Sequence, residues 1–507
     1  MNKYQKLASN TFVLALGQFG SKFLVYVMLR FYTSWLGADG FGDVNNIINA
    51  SALLISVVTL SINEGVLRYA LDDTIRKKNH VLSIGINVAL IGLVIFAAFV
   101  PLIGMIDMLS GYQWLIYMYV ATGSIKGICA IYVRARGRVG LYAIDGTLTT
   151  IVVILLNILL LGVLHLGVVG YVLSISLGDM ISIVFLTWRA GLLRQYRPLG
   201  NDRGLAKGMI HYSVPLMPTA VMWWIINVSD TFMVTAIHGS AANGVYSFAY
   251  KFPNLAALVV GIFSQAWHMS AITERNSRKV SEFYSNVFSM MQTIMYITAA
   301  GILLVLRPII MPFFGSKEFE MAYMYVPFLV LAVVFQSFNN FLSSIYEAKN
   351  KTSHSLVTSI IGAATNIGLN LVLLNSPLGV IGAAVATLAC YLLVYIIRAI
   401  DTRQFLTVNV DYLKMAINIM LISTMSVCIM TLDEGLLLNV LNCILFIILC
   451  AINFKTAAQA VKLFIRRRTG RGGNPEDGAE KSKSGSETAD ENPVCSKYRP
   501  ESFYNQN

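Results

Sequence analysis

The chain has 507 residues, of which 56% are hydrophobic and only 13% charged, and its mean hydropathy is +0.65. Soluble domains carry roughly 25% charged residues, so the composition excludes an ordinary soluble globule and points to a polytopic membrane protein. The net charge of +12 does not point to nucleic acid, because the basic residues fall in short clusters between apolar runs, which is the pattern membrane topology imposes.

In chain order, apolar runs predict fourteen transmembrane helices: 11–34, 44–67, 81–104, 112–133, 143–165, 169–188, 211–236, 244–268, 285–306, 323–345, 355–374, 379–397, 412–431 and 435–454. Each has about the length needed to cross ~30 Å of hydrocarbon. The ~10-residue alternating segments of a membrane β-barrel are not seen, so the expected fold class is all-α and polytopic. The first run is too long for a cleavable signal and lacks an A-x-A-like site. Six cysteines show no metal or disulfide spacing, and five of them lie in apolar segments.

An even number of spans puts both termini on one face. With the N-terminus in the cytoplasm, 32 of the 38 Lys and Arg fall in inside loops or termini, Arg398 among them. Only Arg307 and Lys317 fall outside, and Lys22, Arg30, Lys126 and Lys251 lie within spans. The alternation holds through every loop, so the expected location is the cell membrane, multi-pass, with cytoplasmic termini. From Arg466 onward the chain is polar and rich in Gly, Ser and charge, and it is expected to be disordered.

The first twelve helices repeat. "LGADGFGDV" (36–44) follows the first span and "HGSAANGVY" (238–246) the seventh, so Gly37 and Gly42 are spaced like Gly239 and Gly244. "NILLLGVLHLGVVG" (157–170) likewise parallels "NLVLLNSPLGVIG" (370–382), with a one-residue gap. Two six-helix lobes related by a pseudo-twofold along the membrane normal follow. The expected divisions are 1–206 for the N-terminal lobe, 207–404 for the C-terminal lobe, 405–456 for two additional helices and 457–507 for a cytoplasmic basic tail.

Ionisable residues inside a bilayer cost ~2.5–3.5 kcal/mol or more, so they normally face a cavity or a partner. Lys22 lies near the middle of the first span, with Gln18 and Tyr26 on its face, and Arg30 extends that stripe outward. Lys251 lies just inside the eighth span, followed by Pro253 and Asn254. Snorkelling to the outer headgroups is its structural alternative. Lys22, Arg30 and Lys251 are read as lining one cationic cleft that takes an anionic substrate. Lys126 has Asp179 or Asp145 as possible partners. Asp179 and Asp230 are read first as structural charge partners, counter-ions to the lysines, and second as proton or Na⁺ coupling sites. Glu64 and Arg68, at i and i+4, are read as a local ion pair at the cytoplasmic end.

Two stretches carry a resemblance. "LGQFGSKFLVYVMLRFYTSWLGADGFGDVN" (16–45) resembles the opening of polysaccharide-transporter proteins, the oligosaccharide-lipid flippases of the multidrug/oligosaccharidyl-lipid/polysaccharide exporter superfamily. "ANGVYSFAYKFPNLAALVVGIFSQAWHMSAITE" (242–274) resembles their eighth-helix region, including Tyr250–Lys251 and Gln265–Ala266–Trp267. The resemblance implies two lobes around a central cavity and alternating access. The implied cargo is an undecaprenyl-pyrophosphate-linked oligosaccharide, carried from the cytoplasmic to the outer leaflet. It implies basic cavity residues on helices one, two and eight, matched here by Lys22, Arg30, Lys251 and, less closely, Arg68. Implied partners are the lipid-linked oligosaccharide, membrane lipids and glycan-biosynthesis proteins, without nucleic acid or cofactor. Fourteen spans also resemble the lipid II flippase branch.

Two other classes compete. A cation-coupled drug antiporter of the same superfamily would favour acidic cavity residues, and Asp179 and Asp230 keep it open. A polysaccharide polymerase needs a large external loop, which is absent. An acyltransferase needs a reactive membrane His, and His165 and His268 sit at helix ends. No GxxxxGK[ST] phosphate cradle occurs.

Overall fold

The computed structural model describes the backbone of residues 3–72, 78–197, 202–273, 280–310, 317–349 and 351–468. Side chains of 3–23, 258–273 and 459–468, and of a few scattered positions, lie outside the described residues. The chain divides into two compact units, Met1–Phe454 and Lys455–Asn507. Of the second, only the end of the last helix is described.

Among the described residues the secondary structure is helical throughout. Lipid offers no hydrogen-bond partners, so a spanning backbone must satisfy its own groups, and the α-helix does this locally. The helices are α1 (Lys3–Val58), α2 (Ile62–Leu71), α3 (Lys78–Ile103), α4 (Gln113–Ala135), α5 (Val139–Asn157), α6 (Gly167–Ala190), α7 (Leu192–Gln195) and α8 (Arg203–Ser213). They continue as α9 (Leu216–Thr273), α10 (Val280–Val305), α11 (Ala322–Ala348), α12 (Thr352–Leu374), α13 (Val380–Asp401), α14 (Tyr412–Thr431) and α15 (Leu436–Arg468). Short π-helical segments, Ile158–Val163 and Leu306–Ile310, extend α5 and α10.

Eleven of these helical stretches are long and apolar enough to cross a membrane, or twelve if the bent pair Arg203–Met222 and Asn227–Ala257 is one span. The expected fourteen is reached only if α1 and α9 each cross twice. Both are too long for one pass: 56 and 58 residues would extend about 85 Å as straight helices. Both contain one non-helical residue. Gly37 has φ 66°, ψ −175° and Gly239 has φ 86°, ψ 172°, a region essentially confined to glycine. The two corners are 202 residues apart, the offset read from the sequence.

The repeat is built into the packing between α1 and α9. A Cβ on Gly42 would lie 2.0 Å from the Ser240 carbonyl oxygen, and one on Gly244 would lie 1.9 Å from that of Ala38. Adding 202 to 38 and 42 gives 240 and 244, so the contact is reciprocal, as a twofold requires. The second sequence match behaves alike. A Cβ on Gly170 would meet the Leu160 carbonyl oxygen at 3.1 Å, and one on Gly382 would meet that of Leu373 at 2.6 Å. Short 3₁₀ turns at Asp107–Leu109 and Lys317–Phe319 also correspond, which makes α11 the counterpart of α4.

The two counterparts differ in burial. In the central stretch of α11 72% of residues are buried, against 33% in α4. The difference follows from packing: α11 lies against α9 and α13 more extensively than α4 does against α1 and α6, and α14 packs on α10 and α11 as well. Polar groups join these elements. Thr293 donates to the Asn453 side-chain oxygen (3.3 Å), and Asn453 Nδ2 donates to Asn418 Oδ1 (2.5 Å).

Candidate functional site

The site grows from the junction of α1 and α9. Near the start of the segment after the Gly239 corner, Tyr26 Oη donates to the Lys251 carbonyl oxygen at 2.5 Å, across 225 residues of sequence. Pro253 sits inside the same helix. A proline cannot donate to the helix ladder; the carbonyl it deprives of a helical donor is that of Ala249, so the Tyr26 bond to Lys251 is a separate contact from the other half. Lys251 is half-buried, and its ammonium lies 5.9 Å from the ring centre of Phe41, within reach of a cation–π contact. Lys251 therefore packs against the first half through both its backbone and its side chain.

Lys22 lies on α1 one turn before Tyr26, and its side chain is outside the described residues. Arg30 is exposed on α1, and its carbonyl accepts from Thr33 Oγ1 at 2.8 Å. Arg68 does not pair with Glu64. Among the described residues no ion pair joins them, and the Arg68 guanidinium instead lies 4.3 Å from the Tyr212 ring centre of α8. Both residues are exposed, where an i,i+4 pair gains only ~0.3–0.5 kcal/mol and a flat guanidinium gains more by stacking on an aromatic face.

Three acidic residues are deeply buried. Lys126 Nζ donates to Asp179 Oδ1 at 2.8 Å, joining α4 to α6. Asp145 of α5 accepts from Ser182 Oγ at 2.7 Å. Of the two partners open to Lys126, it bonds Asp179. Asp230 is 1% exposed, and its Oδ2 accepts from Tyr246 Oη (2.9 Å), Tyr250 Oη (3.2 Å) and Thr387 Oγ1 (3.0 Å). These donors are neutral, so Asp230 is not a counter-ion to a lysine among the described residues. Its Oδ1 has no partner there, and neither has Asn370 Oδ1. Asn370 donates to Asn366 Oδ1, which also accepts from Ser229, the residue before Asp230. A buried carboxylate oxygen without a donor, as Asp230 Oδ1 is, suits a proton or a hard monovalent cation. No group of three or more His, Cys, Asp or Glu that could hold a metal occurs among the described residues.

Two features escaped sequence reasoning. Arg398 was assigned to an inside loop, yet it is 2% exposed in α13. It donates to Thr358 Oγ1, the Asn339 carbonyl, the Ser355 carbonyl and Ser359 Oγ, binding α11, α12 and α13 together. A buried inter-half cluster also went unseen. Asn46 Nδ2 donates to Thr235 Oγ1 (3.0 Å) and Asn243 Nδ2 to Asn46 Oδ1 (2.8 Å). Its signal was Asn residues recurring beside the glycine corners.

Comparison with known proteins fits this architecture. The model of the family described as polysaccharide biosynthesis protein matches residues 7–268, and that of MatE matches 215–372. Among solved structures, a lipid II flippase, MurJ, in an inward closed conformation superposes with a TM-score of 0.68 at 15% identity, covering 88% of this chain and 99% of that one. An inward-facing multidrug resistance MATE transporter of the MOP superfamily gives 0.59 at 15%, covering 76% and 94%. A MOP superfamily transporter from Pyrococcus furiosus gives 0.51 at 15%, covering 79% and 96%. At such identity these show a shared fold. No curated protein matches. The first family match alone spans more than half of the 507 residues, and the chain belongs to the polysaccharide biosynthesis protein family.

Proposed function

We propose that this protein is a flippase that moves a polyisoprenyl-(pyro)phosphate-linked oligosaccharide from the cytoplasmic to the outer leaflet by alternating access, for surface polysaccharide synthesis. The observation that carries this reading is Lys251, a membrane cation held against the opposite half by Tyr26 and Phe41. An ionisable residue inside a span is by default a functional one, and a phosphate is a natural partner for a lysine. Lys22, Arg30 and Arg68 complete the proposed cationic path. The family match and the fold shared with a lipid II flippase support the same reading.

In this reading α1 and α9 each cross twice, making fourteen spans in two six-helix lobes, 1–206 and 207–404, followed by two additional helices in 405–456 and a tail from 457. Both termini face the cytoplasm of a cell membrane, and the protein does no covalent chemistry. The undecaprenyl-pyrophosphate class of carrier and contact with glycan-biosynthesis proteins belong to this proposal. Asp230, with its unused oxygen, is the candidate coupling site, and Asp179 with Lys126 serves as a structural pair.

The second reading, a cation-coupled multidrug or small-molecule antiporter, draws on the MatE match and on Asp230. The deciding experiment is glycan export in a deletion strain. Lys22→Ala and Lys251→Ala abolish export at unchanged membrane levels, and Lys251→Arg retains part of it. Wild-type export by both alanine variants sinks the flippase proposal. Transport of a cationic drug, without flipping of a labelled lipid-linked sugar in liposomes, establishes the antiporter.

A further inference from the structure

The helix that joins the two halves presents a feature unrelated to transport. α8 has 11 residues, opens the bent pair Arg203–Met222 and Asn227–Ala257, and follows soon after the sixth apolar helix. That helix ends near Trp188, which is 76% exposed, as aromatic residues at a membrane–water boundary are. α8 is two-faced. Met209 and Ser213 are buried, and Ser213 Oγ would lie 2.5 Å from a Cβ on Gly65 of α2. On the other side Arg203, Lys207 and His211 recur at i, i+4 and i+8, all exposed, so they form one stripe. No ion pair or hydrogen bond engages these three side chains among the described residues. Of the nearby acids, Asp202 is occupied in capping the helix through Gly204 and Leu205 N–H, and Glu64 faces solvent on α2.

Beside the stripe, on the same face, lies a shallow open hollow of about 580 Å³ along one helical run, lined by Lys207, Ile210, His211, Val214 and Pro215 and mostly apolar. Its size falls in the range of small-molecule sites, ~300–1,000 Å³. Two cationic heads beside an apolar hollow, on a helix that leads into a candidate span, are complementary to an anionic headgroup on a hydrocarbon chain.

We infer that α8 carries a binding site for an anionic phospholipid of the surrounding membrane, with the phosphate against Lys207 and His211, reinforced by Arg203, and the chain in the cavity beside Ile210 and Val214. Such a lipid restrains the one helix that links the halves. Arg68, stacked on Tyr212, ties that helix back to α2.

The test uses the full chain purified in detergent, with bound lipid counted by native mass spectrometry. Phosphatidylglycerol is retained in preference to phosphatidylcholine. Arg203→Gln/Lys207→Gln/His211→Gln weakens its retention by roughly tenfold or more, given the attraction of each basic residue to an anionic surface. A control that removes as many cations elsewhere, Arg134→Gln/Arg136→Gln/Arg138→Gln, leaves retention unchanged. Val214→Trp, which fills the cavity and keeps the charges, also lowers it. Equal retention of both lipids, an equal loss in the control, or an unaffected Val214→Trp overturns the site. Displacement of phosphatidylglycerol by equimolar undecaprenyl phosphate overturns the assignment to phospholipid. Every readout is binding, so the outcome does not depend on whether the protein is a flippase.

Discussion

Lys126 and Asp179 form an ion pair in the first half, and the second half shows what such a position looks like without charge. The 3₁₀ turns before α4 and α11 are 210 residues apart, and Gly170 and Gly382 are 212 apart. By those offsets Lys126 corresponds to Gln336 and Asp179 to Tyr391. Gln336 Nε2 donates to Tyr391 Oη at 2.9 Å, where Lys126 donates to Asp179 at 2.8 Å. The same junction between helices is therefore made once with charges and once with neutral groups. A buried pair stabilises little beyond a neutral isostere, but losing one partner strands the other. Lys126→Met should accordingly destabilise the protein, by less than the ~3–5 kcal/mol of a fully buried pair because the Lys126 side chain is 29% exposed, and the double variant Lys126→Met/Asp179→Leu should recover most of that. Thermal melting in detergent checks both, and a double variant as unstable as the single one contradicts the account. Tyr26→Phe removes one hydrogen bond, worth about 1 kcal/mol. It should reduce export at unchanged membrane levels by loosening the Lys251 turn. Asp230→Asn keeps acceptors for its three hydroxyl donors, so it should fold and yet lose dependence of transport on a cation gradient. Dependence equal to wild type would remove Asp230 from coupling.

Glycine placement governs the elements. Gly37 and Gly239 hold a backbone conformation essentially closed to other residues, and that is what breaks each overlong helix at a corner. Gly37→Ala should cost about 1–3 kcal/mol from backbone strain. Gly42 and Gly244 act differently, since they let one helix lie against the carbonyls of the other. At Gly42→Ala the added carbon meets Ser240 O, only 2.0 Å away, and backbone cannot yield as a side chain does. This variant should separate α1 from α9, which raises labelling of a cysteine placed at Ala38. Gly146→Ala is the control, because a Cβ there meets nothing within 4 Å and alanine favours a helix by roughly 0.5–1 kcal/mol over glycine. Equal labelling in the two variants would refute the close-approach role. α11 is enclosed by α9 and α13, with α14 added, which is why it is more buried than its pseudo-equivalent α4.

For the whole molecule, the question is whether the two halves separate. Among the contacts joining them are the reciprocal glycine crossing, the Asn46–Thr235–Asn243 cluster, the Tyr26–Lys251 bond and a bond from Trp224 Nε1 to the Asn49 carbonyl. Rocking of one half on the other requires at least one end of this seam to open. In Asn46→Cys/Asn243→Cys the replaced side chains already touch, so an oxidant should join them. Export should then stop, and a reductant should restore it. Unchanged export by the fully cross-linked protein would exclude opening at this end.

Much of this was legible in the residues. The multi-pass helical class followed from apolar runs and charge alternation, and the repeat from Gly37, Gly42, Gly239 and Gly244. These features are local: hydrocarbon demands that each segment satisfy its own backbone, and a corner or a close approach demands glycine at a given position. What only the tertiary structure decided was which polar groups meet. Nothing along the chain says that Arg68 leaves Glu64 for Tyr212, that Arg398 is buried among three helices, or that Asp230 is held by hydroxyls instead of a lysine. Those partners come from as far as 157 residues away. In a low-dielectric interior the energy of a charge depends on the few atoms around it, and packing chooses those atoms.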